Sequence, residues 1–470
     1  MRPLAAPVTA RAGWILFAVF TAVSLALQLP GNVPYDGIVV WHEAVTARLY
    51  AQHPAALVLV WRLCDGLMRG PALFTALQLA ALWLAAKVLI DRTGAPLGLA
   101  AGFYLFLLAW PPLLAMSGLT VKDVFGGHLA ILAFVLVLPG APHKPRIWAA
   151  AFACATLAAL IRYQFALMLP ALALMAWRQS ARRDYRTAAA CAIGAAGTAA
   201  AVWLGVALAF TQTGASDIDL SLRKMMVFDI AGTVAADHAA PLPVLAQAGV
   251  DVAALKAQML AAYSPLRVDT LWEVHGATPE DPMHSAVFAT LGHVSNGQLA
   301  RQWRFSARHD TGAFLRHHAL AFGRVLGFGN IYQCRPLRAG ISWLPRREAA
   351  AVHAGAYRAP VSAAVMTARA FPVRLLFRAW LYGLVCLCIA GGRLLWREIP
   401  AEAVLLAAFG LAYELSFAVL SQACEVRYSY PLVLAATFGT MLVLGAGRRG
   451  RTAAALRTII PTRHSSTLPR

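Results

Sequence analysis

The sequence predicts an all-α polytopic membrane protein. Of its 470 residues, 60% are hydrophobic and only 13% are charged, and the mean hydropathy is +0.62. A soluble domain carries about a quarter charged residues. Apolar runs of about 20 residues recur, each long enough to cross roughly 30 Å of hydrocarbon. We therefore expect about ten transmembrane helices, a first periplasmic loop with short juxtamembrane helices, and a large, mainly helical extracytoplasmic segment.

The apolar runs define the expected helices. They lie at residues 14–30, 71–90, 97–115, 123–139, 147–161, 163–177, 187–210, 371–391, 400–420 and 428–446. The first run follows two arginines, as in a signal peptide, but no cleavage site of the Ala-x-Ala kind ends it. We interpret it as a retained helix. Residues 53–68 also form a helical pattern, and their lower hydrophobicity indicates a partly inserted or surface helix.

The distribution of Lys and Arg beside the membrane decides the orientation. With the N-terminus inside and residues 31–70 outside, most basic residues fall on the cytoplasmic side: Arg2, Arg11, Lys87, Arg92, Lys144, Arg146, the run 178–186, Arg393, Arg397 and residues 448–451. If residues 53–68 crossed completely, Lys144 and the run 178–186 would move outside. We therefore predict a multi-pass protein of the bacterial inner (cytoplasmic) membrane with both termini in the cytoplasm.

The chain divides into four parts. Residues 1–210 form an N-terminal transmembrane catalytic module that includes the first periplasmic loop, 31–70. It is followed by an extracytoplasmic segment, 211–370, by C-terminal transmembrane helices, 371–446, and by a basic cytoplasmic tail, 447–470. The segment 211–370 is too long for an ordinary connection and is predicted to be folded. We expect helices in it at 221–237, 242–262 and 299–328.

The extracytoplasmic segment is basic in its second half. Residues 301–347 hold nine arginines and one acidic residue, Asp310. The stretch 300–328 is typical of a helix lying in the membrane interface. Two interpretations stay open: anchoring to lipid headgroups, or a basic cradle for a phosphorylated lipid or an acidic glycan.

The net charge of +20 agrees with topogenic charge and attraction to anionic membrane lipids. It does not indicate nucleic-acid binding, because the basic residues are dispersed among apolar helices. The seven cysteines show no CxxC pattern and no zinc-ligand spacing. Cys334 and Cys424 would both face the oxidising side, where they could form a disulfide.

The first outside loop contains an exposed acidic candidate. Pro and Gly residues on both sides place Asp36 on a turn just above the first helix. A carboxylate there can act as a general base, or it can cap the following helix. His42 or Glu43 could face the same cavity. His53 precedes a proline as a helix start would, so a structural and a site role are both open.

The other candidates lie at loop ends on the same predicted side. Lys122 could neutralise a phosphate or snorkel to the interface, and Asp123 could cap its helix or orient another group. Arg162 interrupts an apolar stretch and should mark an outside turn, where it could bind a phosphate bidentately. Glu425 and Arg427 precede the last helix beside tyrosines that also suit an interfacial belt. Threading brings all of these residues to one face.

Several enzyme classes lose their usual support. No Walker-type loop, HExxH or GxSxG motif occurs, so the sequence does not indicate ATP hydrolysis, zinc proteolysis or serine-hydrolase chemistry. No pair of broken helices suggests the inverted repeat of a transporter.

The architecture and four short motifs resemble the GT-C superfamily of integral membrane glycosyltransferases. The motifs are Tyr35-Asp36-Gly37, His53-Pro54, Lys122-Asp123 and Glu425-Val-Arg-Tyr428. The resemblance covers nearly all of the membrane part and none of 211–370. It implies a polyprenyl-phosphate-linked sugar donor and transfer outside the cytoplasmic membrane. By the same resemblance, Asp36 would be the catalytic base. From their charge and position, we expect the substrate- and phosphate-binding residues to be His53, Lys122, Asp123, Arg162, Glu425 and Arg427.

The resemblance has one departure. Many members carry a second acid in the first loop, whereas glycine follows Asp36 here. We assign no metal ligands, and a divalent cation is the one cofactor left open.

The predicted function is a membrane glycosyltransferase, hexosyl or pentosyl, acting on a glycan, lipid or protein acceptor such as lipopolysaccharide in the cell envelope. One base without a covalent nucleophile predicts a single displacement with inversion. Two alternatives stay open. A transporter or assembly protein for lipid-linked glycans would need ionisable groups at mid-membrane, where only Glu414 is a candidate. An O-antigen-type polymerase would use the arginines of the segment 211–370.

Overall fold

The structure is a computed structural model that describes residues 8–49, 53–139, 145–179, 197, 200, 211–212, 217–272, 285–329, 334 and 371–459. Across these ranges the secondary structure is helical, apart from a parallel pair of two-residue strands, β1 (Arg48–Leu49) and β2 (Thr211–Gln212), and two isolated bridges. The predicted helix 187–210 falls almost entirely outside the described residues.

The N-terminal part contains nine α-helices and one 3-10 turn within the described ranges. They are α1 (Ala10–Gln28), α2 (Tyr35–Thr46), α3 (Ala55–Leu67), α4 (Ala72–Thr93), α5 (Leu97–Ala109), α6 (Pro111–Ser117), α7 (Lys122–Leu136), α8 (Pro145–Ile161), the turn Tyr163–Met168, and α9 (Leu169–Gln179). Proline precedes or begins many of them, because its fixed φ suits a helix start. Gly94 ends α4 with a φ of 59°, the left-handed conformation that glycine adopts without strain.

The remaining helices lie in the segment 211–370 and in the C-terminal part. The first group is α10 (Asp217–Ala236), α11 (Pro243–Gln247), α12 (Val252–Ala262), α13 (Asp269–Trp272), α14 (Ala286–Leu291), α15 (Asn296–His309) and α16 (Thr311–Val325). The second is α17 (Phe371–Leu376), α18 (Ala379–Leu395), α19 (Ala401–Leu415), α20 (Phe417–Leu420), a 3-10 turn (Val426–Ser429) and α21 (Tyr430–Ile459). Helix α21 thus continues past residue 446, where the basic tail was predicted to begin.

Fewer helices meet a length-and-hydropathy test for crossing a membrane than the ten expected. Among the described residues four do, Ala10–Gln28, Ala72–Thr93, Ala401–Leu420 and Val426–Ala446, and the pair α5 and α6, bent by 64°, would be a fifth. Other expected spans are short: α7 has 15 residues, α8 has 17 and α9 has 11. The polar break at Arg162 separates α8 from α9, and a 3-10 turn follows it before α9 begins.

Helix α7 lies at the centre of the helix bundle. Residues 123–135 are buried without interruption, against α4, α8 and α21. A side chain at Gly126 would overlap the Phe165 ring, so glycine allows the close approach that is common between membrane helices. His128 Nδ1 donates to the Gln78 carbonyl (2.8 Å), and its Nε2 then accepts from the Tyr430 hydroxyl (2.7 Å). This neutral imidazole ties three helices together.

The described helices of the segment 211–370 pack around α10, with α12, α15 and α16 against it. The prediction of one helix at 299–328 is wrong, because the chain breaks at Asp310 between α15 and α16. The prediction of one helix at 242–262 is also wrong, since α11 and α12 are separate. Gln302 and His317 are buried, so α15 and α16 pack into a folded core and do not merely cover a lipid surface.

Three links join this segment to the chain just before the last helix. The Val268 N–H donates to the Gln422 carbonyl (2.7 Å), and the Cys424 N–H donates to the Leu266 carbonyl (2.8 Å). A disulfide connects Cys334 with Cys424. The disulfide between Cys334 and Cys424, which the sequence left open, is therefore present.

Removing this disulfide is expected to destabilise the protein. Cys334→Ser opens a loop that spans 90 positions, and loss of such a link typically costs about 2–4 kcal/mol. Thermal unfolding of the purified protein without reductant should show a lower Tm for the variant. Cys154→Ser, which changes a free cysteine, is the matched control. A wild-type Tm that does not respond to reductant would contradict the prediction.

Candidate active site

The first loop is held in place by backbone pairing with the start of α7. The Asn32 N–H donates to the Gly118 carbonyl (3.0 Å), and the Thr120 N–H donates to the Asn32 carbonyl (3.1 Å). Asp36 follows in the first turn of α2. A Cβ on Gly37 would lie 2.7 Å from the Thr120 carbonyl oxygen, so only glycine fits next to Asp36. This close approach gives a physical reason why no second acid follows Asp36.

Arg427 connects the N-terminal and C-terminal parts of the chain. It lies in the 3-10 turn before α21, with its side chain 6% exposed. Its Nη2 donates to Asp36 Oδ2 at 2.6 Å, its Nε contacts the Glu425 carboxylate, and the same Nε is 3.9 Å from Asp123 Oδ2. One guanidinium thus contacts carboxylates from α2, α7 and its own turn.

Arg162 extends this network to α8. It lies between α8 and the turn Tyr163–Met168, and it forms an ion pair with the fully buried Asp123. Its Nε donates to Gln164, whose amide donates to Ser416 Oγ at 3.1 Å. Its guanidinium carbon lies 4.8 Å from the centre of the Tyr428 ring, a cation–π distance. Asp123 therefore orients Arg162; in the first turn of α7 its side chain makes no capping hydrogen bond.

The cluster combines three cations, Arg162, Arg427 and Lys122, with three carboxylates, Asp36, Asp123 and Glu425. The carboxylates differ in access. The Asp36 and Glu425 side chains are 34% and 35% exposed, whereas Asp123 is enclosed. The carboxylates of Asp36 and Glu425 are therefore accessible from outside the cluster, whereas that of Asp123 is not.

The electrostatic environment keeps Asp36 ionised. Burial works to raise the pKa of Asp36, but Arg427, with smaller contributions from His53 and Lys122, holds it well below the usual value. A carboxyl with a lowered pKa is deprotonated at every pH above that value, so Asp36 is a carboxylate near neutrality. Burial raises the pKa of Glu425, and Arg427 opposes the increase.

His53 lies at the start of α3 beside a buried acid. Its Nδ1 is 3.7 Å from Glu43 Oε1. Burial, followed by the charge of Lys122, lowers the pKa of His53 to about 3, so the ring is neutral at physiological pH. Glu43 lies two turns after Asp36 on α2 and is fully buried, while His42 is half-buried. The seven-residue spacing of Asp36 and Glu43 is the one signal in the sequence that could have indicated a shared helix face.

Two charged residues of the segment 211–370 lie near the cluster and are not among the residues predicted from the sequence. Asp269 directly follows Val268, which pairs with the strand-like residues before Glu425. Burial raises the pKa of Asp269, and the negative charge of Asp36 adds to the increase while Lys224 opposes it. Lys224 Nζ lies 5.0 Å from the centre of the Trp272 ring. No local pattern in the sequence distinguishes either residue.

The structure brings all seven predicted residues to one region, and their functional roles stay predictions. Within the described ranges, no group of three or more His, Cys, Asp or Glu side chains is arranged to hold a metal ion. A cavity of about 530 Å³ lies between α10 and α15, and none of its lining residues belongs to the charged cluster. The cluster is defined by contacts and charge, not by that cavity.

No family model matches the chain, and no curated protein matches its sequence. Among solved structures, the chain is similar to ArnT from Cupriavidus metallidurans, crystallised with undecaprenyl phosphate bound. The alignment has 13% identity and a TM-score of 0.33, and it covers 98% of this chain and 82% of ArnT.

Proposed function

We propose that this protein is a membrane glycosyltransferase that takes a sugar from a polyprenyl-phosphate-linked donor. The contact between Asp36 and Arg427 carries the proposal. It places a solvent-accessible carboxylate and a buried guanidinium 2.6 Å apart, beside two further cations, Arg162 and Lys122. Transfer from a phosphate-linked sugar needs two components, a general base and a group that binds the phosphate.

The geometry supports a single displacement with inversion. Asp36 takes the proton of an acceptor hydroxyl as that oxygen forms a bond to the anomeric carbon of the donor. The bond between the anomeric carbon and the phosphate oxygen breaks, and polyprenyl phosphate leaves with the electron pair. Arg427, Arg162 and Lys122 stabilise the negative charge that develops on this phosphate.

Arg427 has two tasks in this mechanism. In the structure it binds Asp36, which lowers the basicity of that carboxylate. A donor phosphate competes for the same guanidinium, since Arg forms bidentate, charge-assisted pairs with phosphate as well as with carboxylate. When the phosphate takes over Arg427, the pKa of Asp36 rises towards its usual value. The base would then gain strength only in the presence of donor.

The acceptor is an envelope glycan, a lipid or a protein on the periplasmic side of the bacterial inner membrane. The extracytoplasmic segment contributes Lys224 and Asp269 near the cluster, which supports a role in acceptor choice. Glu414, the residue that a transporter would require, accepts a hydrogen bond from Ser429 Oγ at 2.8 Å. This contact places Glu414 in the network of the Arg427 turn and favours an enzyme.

The test is release of free polyprenyl phosphate. The purified full chain, reconstituted in lipid vesicles, is incubated with a polyprenyl-phosphate-linked sugar and envelope extract as the source of acceptor. We expect labelled sugar on the acceptor and an equal amount of free polyprenyl phosphate. A transporter would move the donor across a vesicle membrane without cleaving it. Translocation of intact donor without any release would overturn the proposal.

A further inference from the structure

A second buried cluster of ionisable groups lies in the extracytoplasmic segment. Its centre is Asp229 on α10, which is fully buried. Trp303 Nε1 donates to Asp229 Oδ2 at 2.7 Å. His317 Nε2 lies 3.2 Å from Asp229 Oδ1, and His318 Nε2 lies 3.5 Å from Oδ2. A buried carboxylate requires such partners, because an isolated charge would be costly to bury.

His317 is satisfied as a neutral ring. Its Nε2–H donates to Asp229, and its Nδ1 accepts from the Tyr263 hydroxyl at 2.7 Å. A side chain at Gly232 would overlap the His317 ring, so glycine at that position admits the ring against α10. This half of the cluster needs no extra proton.

His318 faces two acceptors. Its Nδ1 donates to the Ala418 carbonyl at 2.9 Å, while its Nε2 faces the Asp229 carboxylate. Neither a carbonyl nor a carboxylate can donate a hydrogen bond. Only an imidazole ring with protons on both nitrogens can therefore present a donor to both groups. The arrangement therefore selects the imidazolium form of His318.

Ala418 lies in α20, at the end of the candidate span Ala401–Leu420. The chain leads from there through Cys424 to Glu425 and Arg427. The contact with His318 thus joins the folded extracytoplasmic helices to the segment that carries Arg427 to Asp36.

We propose that His318 in its protonated form is a positioning residue that fastens the extracytoplasmic helices to residues 417–425 and so keeps Arg427 in place beside Asp36. Its catalytic consequence rests on the proposed function, whereas the fastening itself does not. Loss of the ring proton removes a donor from one of the two contacts. The segment 417–425 then opens more often.

The surrounding groups determine the direction of the pH effect. Two ionisable groups face His318, Asp229 of α10 and His317, and Tyr263 in turn faces His317. Helix α20 has no ionisable side chain. Arg427 in the neighbouring turn contacts Asp36 and Glu425. Burial works to lower the pKa of His318, but Asp229 raises it above the usual value. The stabilisation is therefore fully present below about pH 6.5, the ordinary histidine value, and is lost as pH rises through the higher folded-state value.

The experiment is hydrogen–deuterium exchange of peptides covering 417–425 in the purified full chain, without substrate, from about pH 6 to about pH 9. After correction for the intrinsic exchange rate, we expect the opening of this segment to increase as pH rises over this range, because His318 loses its second ring proton. Protection that stays constant in the wild-type protein would overturn the proposal, even if no variant folds.

Three variants sharpen the test. His318→Asn keeps a donor for Ala418 and removes the titration, so its exchange should not depend on pH. Asp229→Asn removes the charge that raises the pKa of His318, so the change should move to lower pH. His309→Asn is the control, since His309 is exposed at the end of α15. A wild-type pH step that persists in His318→Asn would refute the assignment, whatever the outcome of the transfer assay.

Discussion

Replacing Asp36 with Asn is expected to lower the kcat of sugar transfer by about 10²–10⁴-fold, the usual contribution of a general base. The amide oxygen can still accept from Arg427 Nη2, so the fold should be kept. The amide cannot take the proton of the acceptor hydroxyl. The measurement is the initial rate of free polyprenyl phosphate release at saturating donor, with folding checked by size-exclusion chromatography and the Tm.

Asp251→Asn is the matched control. Asp251 caps α12 by accepting from the N–H groups of Ala253 and Ala254, and asparagine caps a helix about as well. We expect wild-type transfer from this variant. Full transfer by Asp36→Asn would remove Asp36 from the mechanism, although the charged cluster could still bind the donor.

Arg427→Gln should be the most destabilising change at the site. The guanidinium contacts Asp36, Glu425 and Asp123, and its loss leaves Asp123 buried with Arg162 as its one remaining ion-pair partner among the described residues. Breaking a buried pair by removing one partner typically costs about 3–5 kcal/mol. The free energy of unfolding is measured by denaturant titration in mild detergent.

Two further variants separate the effect of the positive charge from the effect of the guanidinium geometry. Arg427→Lys keeps the positive charge but cannot span three carboxylates, so it should recover part of the stability and little of the transfer rate. Arg316→Gln removes an exposed arginine of α16 and should change the free energy of unfolding by less than about 0.5 kcal/mol. A stability of Arg427→Gln equal to that of Arg316→Gln would show that Arg427 is not an essential counter-ion.

The sequence predicted the convergence of polar residues because charge placement constrains how a chain threads a membrane. Asp36 and Arg427 were expected on one face, and the structure places them in contact. Arg162 was expected at a break between helices, where it lies. In each case the cost of a charge in hydrocarbon limits the positions that it can take.

The pairings could not be predicted, since they depend on helix packing. Asp123 and Arg162 were candidates for separate roles, yet they form an ion pair. The buried pair of Glu43 and His53 and the cluster around Asp229 follow from contacts between helices that no periodic pattern encodes. The break at Asp310 shows the same limit. The sequences of α15 and α16 both have a helical pattern, and only their packing on α10 reveals that the helix is interrupted between them.

The separation of Asp36 and Arg427 by 391 positions has a consequence for biogenesis. A ribosome delivers the loop carrying Asp36 long before the turn carrying Arg427. Until that turn emerges, the early carboxylate has no guanidinium opposite it, and the three cations are not assembled. On the proposed function, a nascent chain that has not reached this turn lacks a guanidinium needed to bind the donor phosphate, so it cannot yet transfer the sugar.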